Sequence, residues 1–123
     1  MKEIDWSSLS FGYMKTDYNV RCWYRNGAWG EIEVSSEETL NIHMAATCLH
    51  YGQEAFEGLK AYRCPDGKVR VFRMDENAAR LQSSCRGIMM PELPTELFEE
   101  MVTKVVRLNE GYIPPYESGA SLY

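Results

Sequence analysis

The sequence lacks the features that mark membrane, secreted and nucleic-acid-binding proteins. No apolar run approaches the roughly 18 residues that a membrane-spanning helix needs, and the N-terminus MKEIDWSSLS has no apolar segment of a signal peptide. Basic residues are outnumbered, 13 against 18 acidic ones, and the net charge of −5 disfavours binding to phosphate backbones. We therefore expect a cytoplasmic protein that binds neither membrane nor nucleic acid.

The cysteine and histidine spacings of disulfide-rich and zinc-binding proteins are also missing. The four cysteines are far apart and form no C-x-x-C pair: Cys22, Cys48, Cys64 and Cys85. This pattern favours free thiols in a reducing compartment. His43, Cys48 and His50 are close in sequence, but they lack a usual zinc spacing and no second ligand cluster follows, so we expect no metal site.

The composition is that of one globular domain. A chain of 123 residues is long enough to bury a core, and 45% hydrophobic and 25% charged residues are ordinary values for a globular protein. Within the chain, residues 41–63 combine two histidines, two tyrosines, a phenylalanine, two glutamates and two glycines. This density favours a ligand-binding role, although the glycines also fit an ordinary helix-to-strand corner.

The central stretch divides at Gly58. Between residues 45 and 56 the apolar side chains recur at helical spacing, whereas after Gly58 they alternate as in a strand. The pattern predicts a helix or a helical, turn-rich segment over residues 45–56, with Gly58 as the hinge at which a ligand can approach the backbone.

Two β-hairpins are predicted around strong turn signals. Asn26 and Gly27 tolerate positive φ and lie between two β-rich runs, and the Pro-Asp-Gly sequence of residues 65–67 suits a second tight turn. The predicted strands are residues 18–24, 28–34, 40–42, 58–64 and 68–73.

Two further helices are predicted on either side of the proline-containing residues 91–94. Asp75 caps a helix over residues 76–87, and Thr95 caps one that reaches about Asn109 and stops at Gly111. Arg80 lies at the border of the first helix's apolar stripe, where it is either solvated or an anion clamp. The inward-facing positions are Leu81, Cys85, Ile88 and Met89 on the first helix, and Leu97, Met101, Val105 and Leu108 on the second, with a Glu100–Lys104 pair outside.

These elements together predict an α+β fold, in which an antiparallel β-sheet with hairpins is packed by about two to three helices. Residues 1–17 have no clear period, and we expect an arm lying on the domain surface. Residues 121–123 have the pattern of a beginning strand, so we expect the chain to be part of a longer protein.

Five motifs resemble those of one enzyme family in order and spacing. They are residues 49–52 (LHYG), 56–62 (FEGLKAY), 69–73 (VRVFR), 77–81 (NAARL) and 119–123 (GASLY). Their combination is similar to branched-chain amino acid aminotransferases, and the similarity runs from about residue 11 to residue 123. These are fold-type IV pyridoxal-phosphate enzymes, and residues 1–123 resemble their small N-terminal α/β domain alone.

The resemblance implies a set of binding residues. Arg80 matches the arginine that holds the phosphate of pyridoxal 5'-phosphate, and a guanidinium can grip two phosphate oxygens. Phe56 and Tyr123 match residues that line the pocket for the substrate side chain, and Phe11 matches an aromatic residue of the arm with the same task. Tyr51 matches a tyrosine that enters the pocket of the neighbouring subunit, which implies a homodimer.

The implied reaction transfers the amino group of Leu, Ile or Val to 2-oxoglutarate. In this family a Schiff-base lysine carries the cofactor and shuttles a proton, and by resemblance that lysine lies downstream of Tyr123. No catalytic residue is therefore expected among residues 1–123, and the isolated chain is expected to be inactive.

Other functions remain open on the sequence. A D-amino acid aminotransferase or an aminodeoxychorismate lyase is a related alternative, but the arm and the motif at residues 119–123 argue against both. A self-contained binding or dimerisation module of the same fold, without chemistry, is the alternative from another class.

Overall fold

The computed structural model describes residues 1–123 and has two antiparallel hairpins and three α-helices. The strands are β1 (Asn19–Arg25), β2 (Ala28–Ser35), β3 (Ala61–Arg63) and β4 (Val69–Val71), and the helices are α1 (Thr47–Tyr51), α2 (Met74–Gly87) and α3 (Thr95–Leu108). Short 3-10 turns occur at Trp6–Ser8, Glu110–Tyr112 and Tyr116–Ser118. Helix α2 packs against α3, and α3 packs against β1. The predicted α+β class is confirmed.

The first hairpin follows its turn signal closely. Asn26 and Gly27 have φ angles of 53° and 79°, the left-handed pair that matches the twist of the two flanking strands. Arg25 lies opposite Ala28, and the ladder is irregular only between Cys22 and Tyr24. Each end of the predicted strands lies within one residue of the observed end.

The second hairpin has the predicted turn but shorter strands. Gly67 has a φ of 77°, and the Asp66 carboxylate accepts a hydrogen bond from the Lys68 backbone N–H at 3.1 Å. Strand β4 ends at Val71 because the chain turns at Arg73, in the left-handed region with φ 49°. Strand β3 begins only at Ala61.

The predicted helix over residues 45–56 is wrong beyond Tyr51. Gly52 adopts a left-handed conformation with φ 61° and ends α1, as glycine commonly does just past a helix terminus. Leu49 and Phe56, two members of the predicted apolar face, are both exposed. The predicted strand at residues 40–42 is also wrong, because these residues pair with no other strand.

Helix α2 begins two residues earlier than predicted. Its first residue is Met74, and Arg73 occupies the N-cap position without a side-chain cap, so Asp75 lies inside the first turn. Arg73 instead pairs with Asp75 at 3.5 Å and with Glu76 at 2.8 Å. Two carboxylates near the N-terminus still favour the helix through its dipole.

The buried stripe of α2 is only partly the predicted one. Cys85 is buried and Leu81 half-buried, and Ala78 completes the stripe one turn earlier. Ile88 and Met89 are exposed, and their predicted burial is wrong. The helix ends at Gly87, so these two residues no longer follow the helical spacing.

Helix α3 begins at Thr95, with Pro94 rather than Thr95 at the N-cap position, and it ends three residues before Gly111. Its most buried residue is Phe98, which the predicted stripe omitted. The four predicted inward positions are half-buried. The predicted outer pair, Glu100 with Lys104, is not among the ion pairs of the structure.

The core is small for the length of the chain. The buried residues are Ala61, Ala78, Cys85, Phe98, Asn109, Ile113 and Pro114. The accessible surface is 9005 Å², whereas a compact monomer of 14.2 kDa exposes about 6,800 Å². Much apolar surface is therefore left uncovered. No helix is both long enough and apolar enough to cross a bilayer.

Both ends of residues 1–17 are attached to the domain, and we call this segment the N-terminal arm. The Lys2 backbone N–H donates to the carbonyl of Gly111 at 2.8 Å, and the Lys2 ammonium pairs with Asp17 at 2.8 Å. The Tyr112 hydroxyl donates to the same Asp17 carboxylate at 2.7 Å. The arm is therefore a loop whose two ends meet beside the 3-10 turn at Glu110–Tyr112.

Candidate functional site

An arginine and a buried carboxylate form the centre of the candidate site. Arg80, on α2, donates through Nε to Oε2 of Glu57 at 2.8 Å and through Nη2 to Oε1 of the same carboxylate. The Glu57 side chain is only 4% exposed, whereas that of Arg80 is 68% exposed. Nη1 of Arg80 has no partner in the protein, so the guanidinium is fixed on one side and open on the other.

The pair is charged at neutral pH. The hydrogen bonds from Arg80 lower the pKa of Glu57 below its ordinary value, and they outweigh burial, which acts in the opposite direction. The same hydrogen bonds raise the pKa of Arg80. A buried carboxylate without such a partner would titrate at a higher pH.

Asn77 fixes the carboxylate from a second direction. It lies three residues before Arg80 on α2, a spacing that places both side chains on one face of the helix. Its Nδ2 donates to Oε1 of Glu57 at 2.7 Å and to the carbonyl of Gly58 at 3.1 Å. Helix α2 thus holds the segment before β3 through two side chains.

Two of the predicted aromatic residues meet beside this segment. The ring centroids of Phe56 and Tyr123 lie 6.4 Å apart with an interplanar angle of 49°. The rings remain 77% and 72% exposed. Leu122 pairs with Ala61 through two backbone hydrogen bonds of 2.8 and 3.1 Å, and this pairing places Tyr123 against Phe56.

Gly58 allows a close approach of Tyr123 to the backbone. A Cβ atom on Gly58 would lie 2.7 Å from the Tyr123 hydroxyl oxygen and 3.1 Å from its Cε2. The sequence suggested a hinge at Gly58, whereas the structure shows a close approach of an aromatic side chain to the backbone.

The other two predicted binding residues lie apart from this cluster. Tyr51 ends α1 and is 84% exposed. Phe11 lies in the N-terminal arm and is fully exposed. Neither forms an aromatic pair with Phe56 or Tyr123, so the structure joins two of the four predicted aromatic residues.

Tyr51 lines an open cavity of about 330 Å³. Its other lining residues are Thr47, Gly52, Gln53 and Ile88. The Gln53 side chain donates to the carbonyl of Ile88 at 2.8 Å and so closes one side of the cavity. The tyrosine hydroxyl is available to a ligand or a partner from solvent.

Both histidines form hydrogen bonds to backbone groups of the loop that precedes α1. Nδ1 of His43 accepts a hydrogen bond from the Ala45 backbone N–H at 3.0 Å. Nε2 of His50 lies 2.6 Å from the Met44 carbonyl, to which it must donate because a carbonyl only accepts. The four cysteines are free thiols, and no three His, Cys, Asp or Glu side chains converge as a metal site would require.

Sequence reasoning missed Glu57 and Asn77 as site residues. Both belong to motifs that carried the family resemblance, but neither had been given a role. Glu57 lies 23 residues before Arg80, and no helical or strand period links positions so far apart. The only available signal was an acidic residue beside a glycine in an otherwise apolar and aromatic stretch.

This arrangement of an exposed arginine held by a buried carboxylate, next to two aromatic rings, suits a site for a small anionic ligand with an apolar part. No protein-family model matches the chain. The curated relatives that it matches are aminotransferases and transaminases, among them branched-chain-amino-acid transaminase 1 of Bacillus subtilis, which is 42% identical over 97% of this chain and 33% of the relative.

More particularly, the chain is similar to branched-chain-amino-acid aminotransferases. That of Haemophilus influenzae is 47% identical and that of Helicobacter pylori 46% identical, each over the whole chain and 36% of the relative. The predicted resemblance is confirmed: the chain is homologous to the N-terminal part of these proteins. It spans about a third of their length.

Proposed function

We propose that the chain is the N-terminal part of a branched-chain amino acid aminotransferase, which transfers the amino group of Leu, Ile or Val to 2-oxoglutarate. The observation that carries this proposal is similarity over the whole chain to proteins of that name. The reactive lysine would lie in the part of the relatives that this chain does not match. Residues 1–123 alone would then be inactive.

Pyridoxal 5'-phosphate is the proposed cofactor, and Arg80 would hold its phosphate. When bound, this cofactor withdraws electrons from the carbon that carries the amino group. The residues present fit the phosphate, because Nη1 of Arg80 is unpartnered while Nε and Nη2 are fixed by Glu57. Charge-assisted hydrogen bonds from a guanidinium are strong and directional.

Phe56 and Tyr123 would form one wall of the pocket for the substrate side chain. Their rings lie together and are largely exposed, so they offer apolar surface to a ligand. Branched aliphatic side chains carry no polar group, and full burial of one contributes about 1.5–3 kcal/mol. Phe11 is proposed for the same pocket by its similarity to the family's arm, although it lies apart from these two rings in this structure.

A homodimer is part of the proposal, with Tyr51 reaching the pocket of the second subunit. Several apolar side chains of the segment that leads to Tyr51 are exposed, among them Leu40, Met44 and Leu49. The surface in excess of a compact monomer is about 2,200 Å², more than the roughly 800 Å² that each partner buries in a standard interface. A cytoplasmic location is also proposed, since four unpaired cysteines suit a reducing compartment.

The test uses the full-length protein and its Arg80→Ala variant. The charge-assisted bonds of an arginine to phosphate are strong enough that we expect binding of pyridoxal 5'-phosphate to weaken about 10- to 100-fold. Arg86→Ala is the matched control, because Arg86 is exposed on the same helix and pairs with Glu92 instead. It should bind the cofactor as the wild type does.

Transamination of Leu, Ile and Val with 2-oxoglutarate is measured on the same proteins. A full-length protein that binds the cofactor but transfers no amino group from these three substrates would contradict the proposed reaction. Equal cofactor affinity of Arg80→Ala and the wild type would contradict the proposed role of Arg80.

A further inference from the structure

The guanidinium of Arg80 presents its donors on two different edges. One edge consists of Nε and one hydrogen of Nη2, and the other of Nη1 and the second hydrogen of Nη2, all in one plane. Glu57 accepts from Nε at 2.8 Å and from Nη2. The first edge is therefore fully used inside the protein, and only the second edge is left for a ligand.

The carboxylate that occupies the first edge is itself held by the protein. Glu57 is almost completely buried, and Asn77 donates to its Oε1 while also donating to the carbonyl of Gly58. The Asn77 amide thus ties the carboxylate to the backbone of its own segment. Because Asn77 and Arg80 lie one turn apart on α2, the orientation of the arginine follows the orientation of the helix.

We propose that Glu57, held by Asn77, is a positioning residue that makes Arg80 present its Nη1–Nη2 edge to the cofactor phosphate. This inference rests on the proposed function of Arg80. Glu57 itself does not touch the phosphate; it removes the rotational freedom of an exposed side chain before the ligand arrives.

Electrostatic repulsion alone would give Glu57 the opposite effect, since a carboxylate near a phosphate repels it. Because Glu57 is buried, salt would screen its repulsion of a phosphate only weakly. Repulsion and positioning are therefore distinguished by the sign of the change in phosphate affinity when the carboxylate is lost. Positioning by Glu57 predicts weaker phosphate binding when the carboxylate is lost, at low and high salt alike.

The experiment measures equilibrium dissociation constants of the full-length protein for pyridoxal 5'-phosphate and for pyridoxal, which lacks the phosphate. In Glu57→Gln we expect affinity for the phosphorylated form to fall about two- to tenfold, the equivalent of ordering one long side chain. Affinity for pyridoxal should not change. Asn77→Ala should act in the same direction with a smaller effect.

Two more variants separate geometry from charge. Glu57→Asp keeps the negative charge but shortens the side chain, so it should weaken binding as Glu57→Gln does. Glu76→Gln removes an exposed carboxylate from the first turn of the same helix, where it pairs with Arg73, and should leave both constants unchanged. Melting temperatures without cofactor show whether each variant is folded.

The inference is overturned if Glu57→Gln leaves the ratio of the two constants unchanged, or if it strengthens binding of the phosphorylated form at low salt. Equal weakening of both ligands would also overturn it, because the effect would then not concern the phosphate. If Arg80→Ala fails to change the ratio, the assignment of Arg80 fails instead. The two failures are thus distinguishable.

Discussion

Replacement of Gly58 by alanine tests the close approach between this glycine and Tyr123. The added Cβ would lie 2.7 Å from the hydroxyl oxygen, and ordinary contacts of such an atom begin at 3.4 Å. An ordinary contact would therefore require the hydroxyl to move by about 0.7 Å. The backbone of Gly58 is not in the left-handed region, so the methyl group is the only source of strain.

The structure predicts a small effect of Gly58→Ala on stability. The tyrosine ring is largely exposed and can rotate away at a cost of about 0.5–1.5 kcal/mol if it leaves its preferred rotamer. Alanine also restricts the unfolded chain, which stabilises the folded state by about 0.4–1 kcal/mol. The free energy of unfolding should therefore change by less than about 1 kcal/mol.

The effect on substrate binding should be larger. The proposed function places Tyr123 against the substrate side chain, and the displaced ring loses contact with it. A loss equal to one buried methylene, about 0.8 kcal/mol, corresponds to a KM about fourfold higher for leucine. The assay is KM in the full-length protein, combined with urea denaturation.

Gly87→Ala is the matched control for this experiment. Gly87 lies at the end of α2, and a Cβ there would meet no atom within 4 Å. It should leave KM unchanged and stabilise the helix by about 0.5–1 kcal/mol. An unchanged KM in Gly58→Ala, or a loss of more than about 2 kcal/mol in its stability, would refute the reasoning about Tyr123.

Three further predictions concern the core, the arm and the second turn. Phe98→Ala should lower the free energy of unfolding by about 3–5 kcal/mol in urea, because the ring is buried. Asn109→Ala should cost about 1–3 kcal/mol and speed proteolysis of the N-terminal arm, since buried Asn109 bonds both backbone groups of Tyr18. Hydrogen bonds from Arg70 lower the pKa of Asp66 to about 2 from 3.8; the pair therefore stabilises the fold above about pH 4 and loses this effect toward pH 2. Asp66→Asn should lower Tm at pH 7 but not at pH 2.

The hairpins could be predicted because the few residues of each turn determine where the chain reverses. Asn and Gly tolerate the positive φ that a two-residue hairpin turn requires, and Asn26 and Gly27 adopt it here. The flanking residues alternate between apolar and polar side chains. The start of α2 could not be predicted in this way. The chain makes its turn at Arg73, whose left-handed conformation is imposed by the junction of β4 and the helix rather than by its own preference.

The candidate site was predictable in part. The family motifs pointed to Arg80, Phe56 and Tyr123 as binding residues, and the structure places the two aromatic rings together. The bond from Arg80 to Glu57 could not be found from periodicity, since it joins a helix to an extended segment. The helical spacing around Phe56 was misleading, because Gly52 ends the helix first.

The large uncovered apolar surface of the chain affects how it unfolds. An unfolded chain of this mass exposes about 20,600 Å², so unfolding from 9005 Å² uncovers about 11,600 Å², roughly one sixth less than for a compact domain. Both the dependence of stability on urea concentration and the heat capacity of unfolding scale with this newly exposed surface. The urea unfolding transition of residues 1–123 should therefore be less steep than that of a compact domain of equal length. It should become steeper when a partner surface covers the exposed aromatic rings.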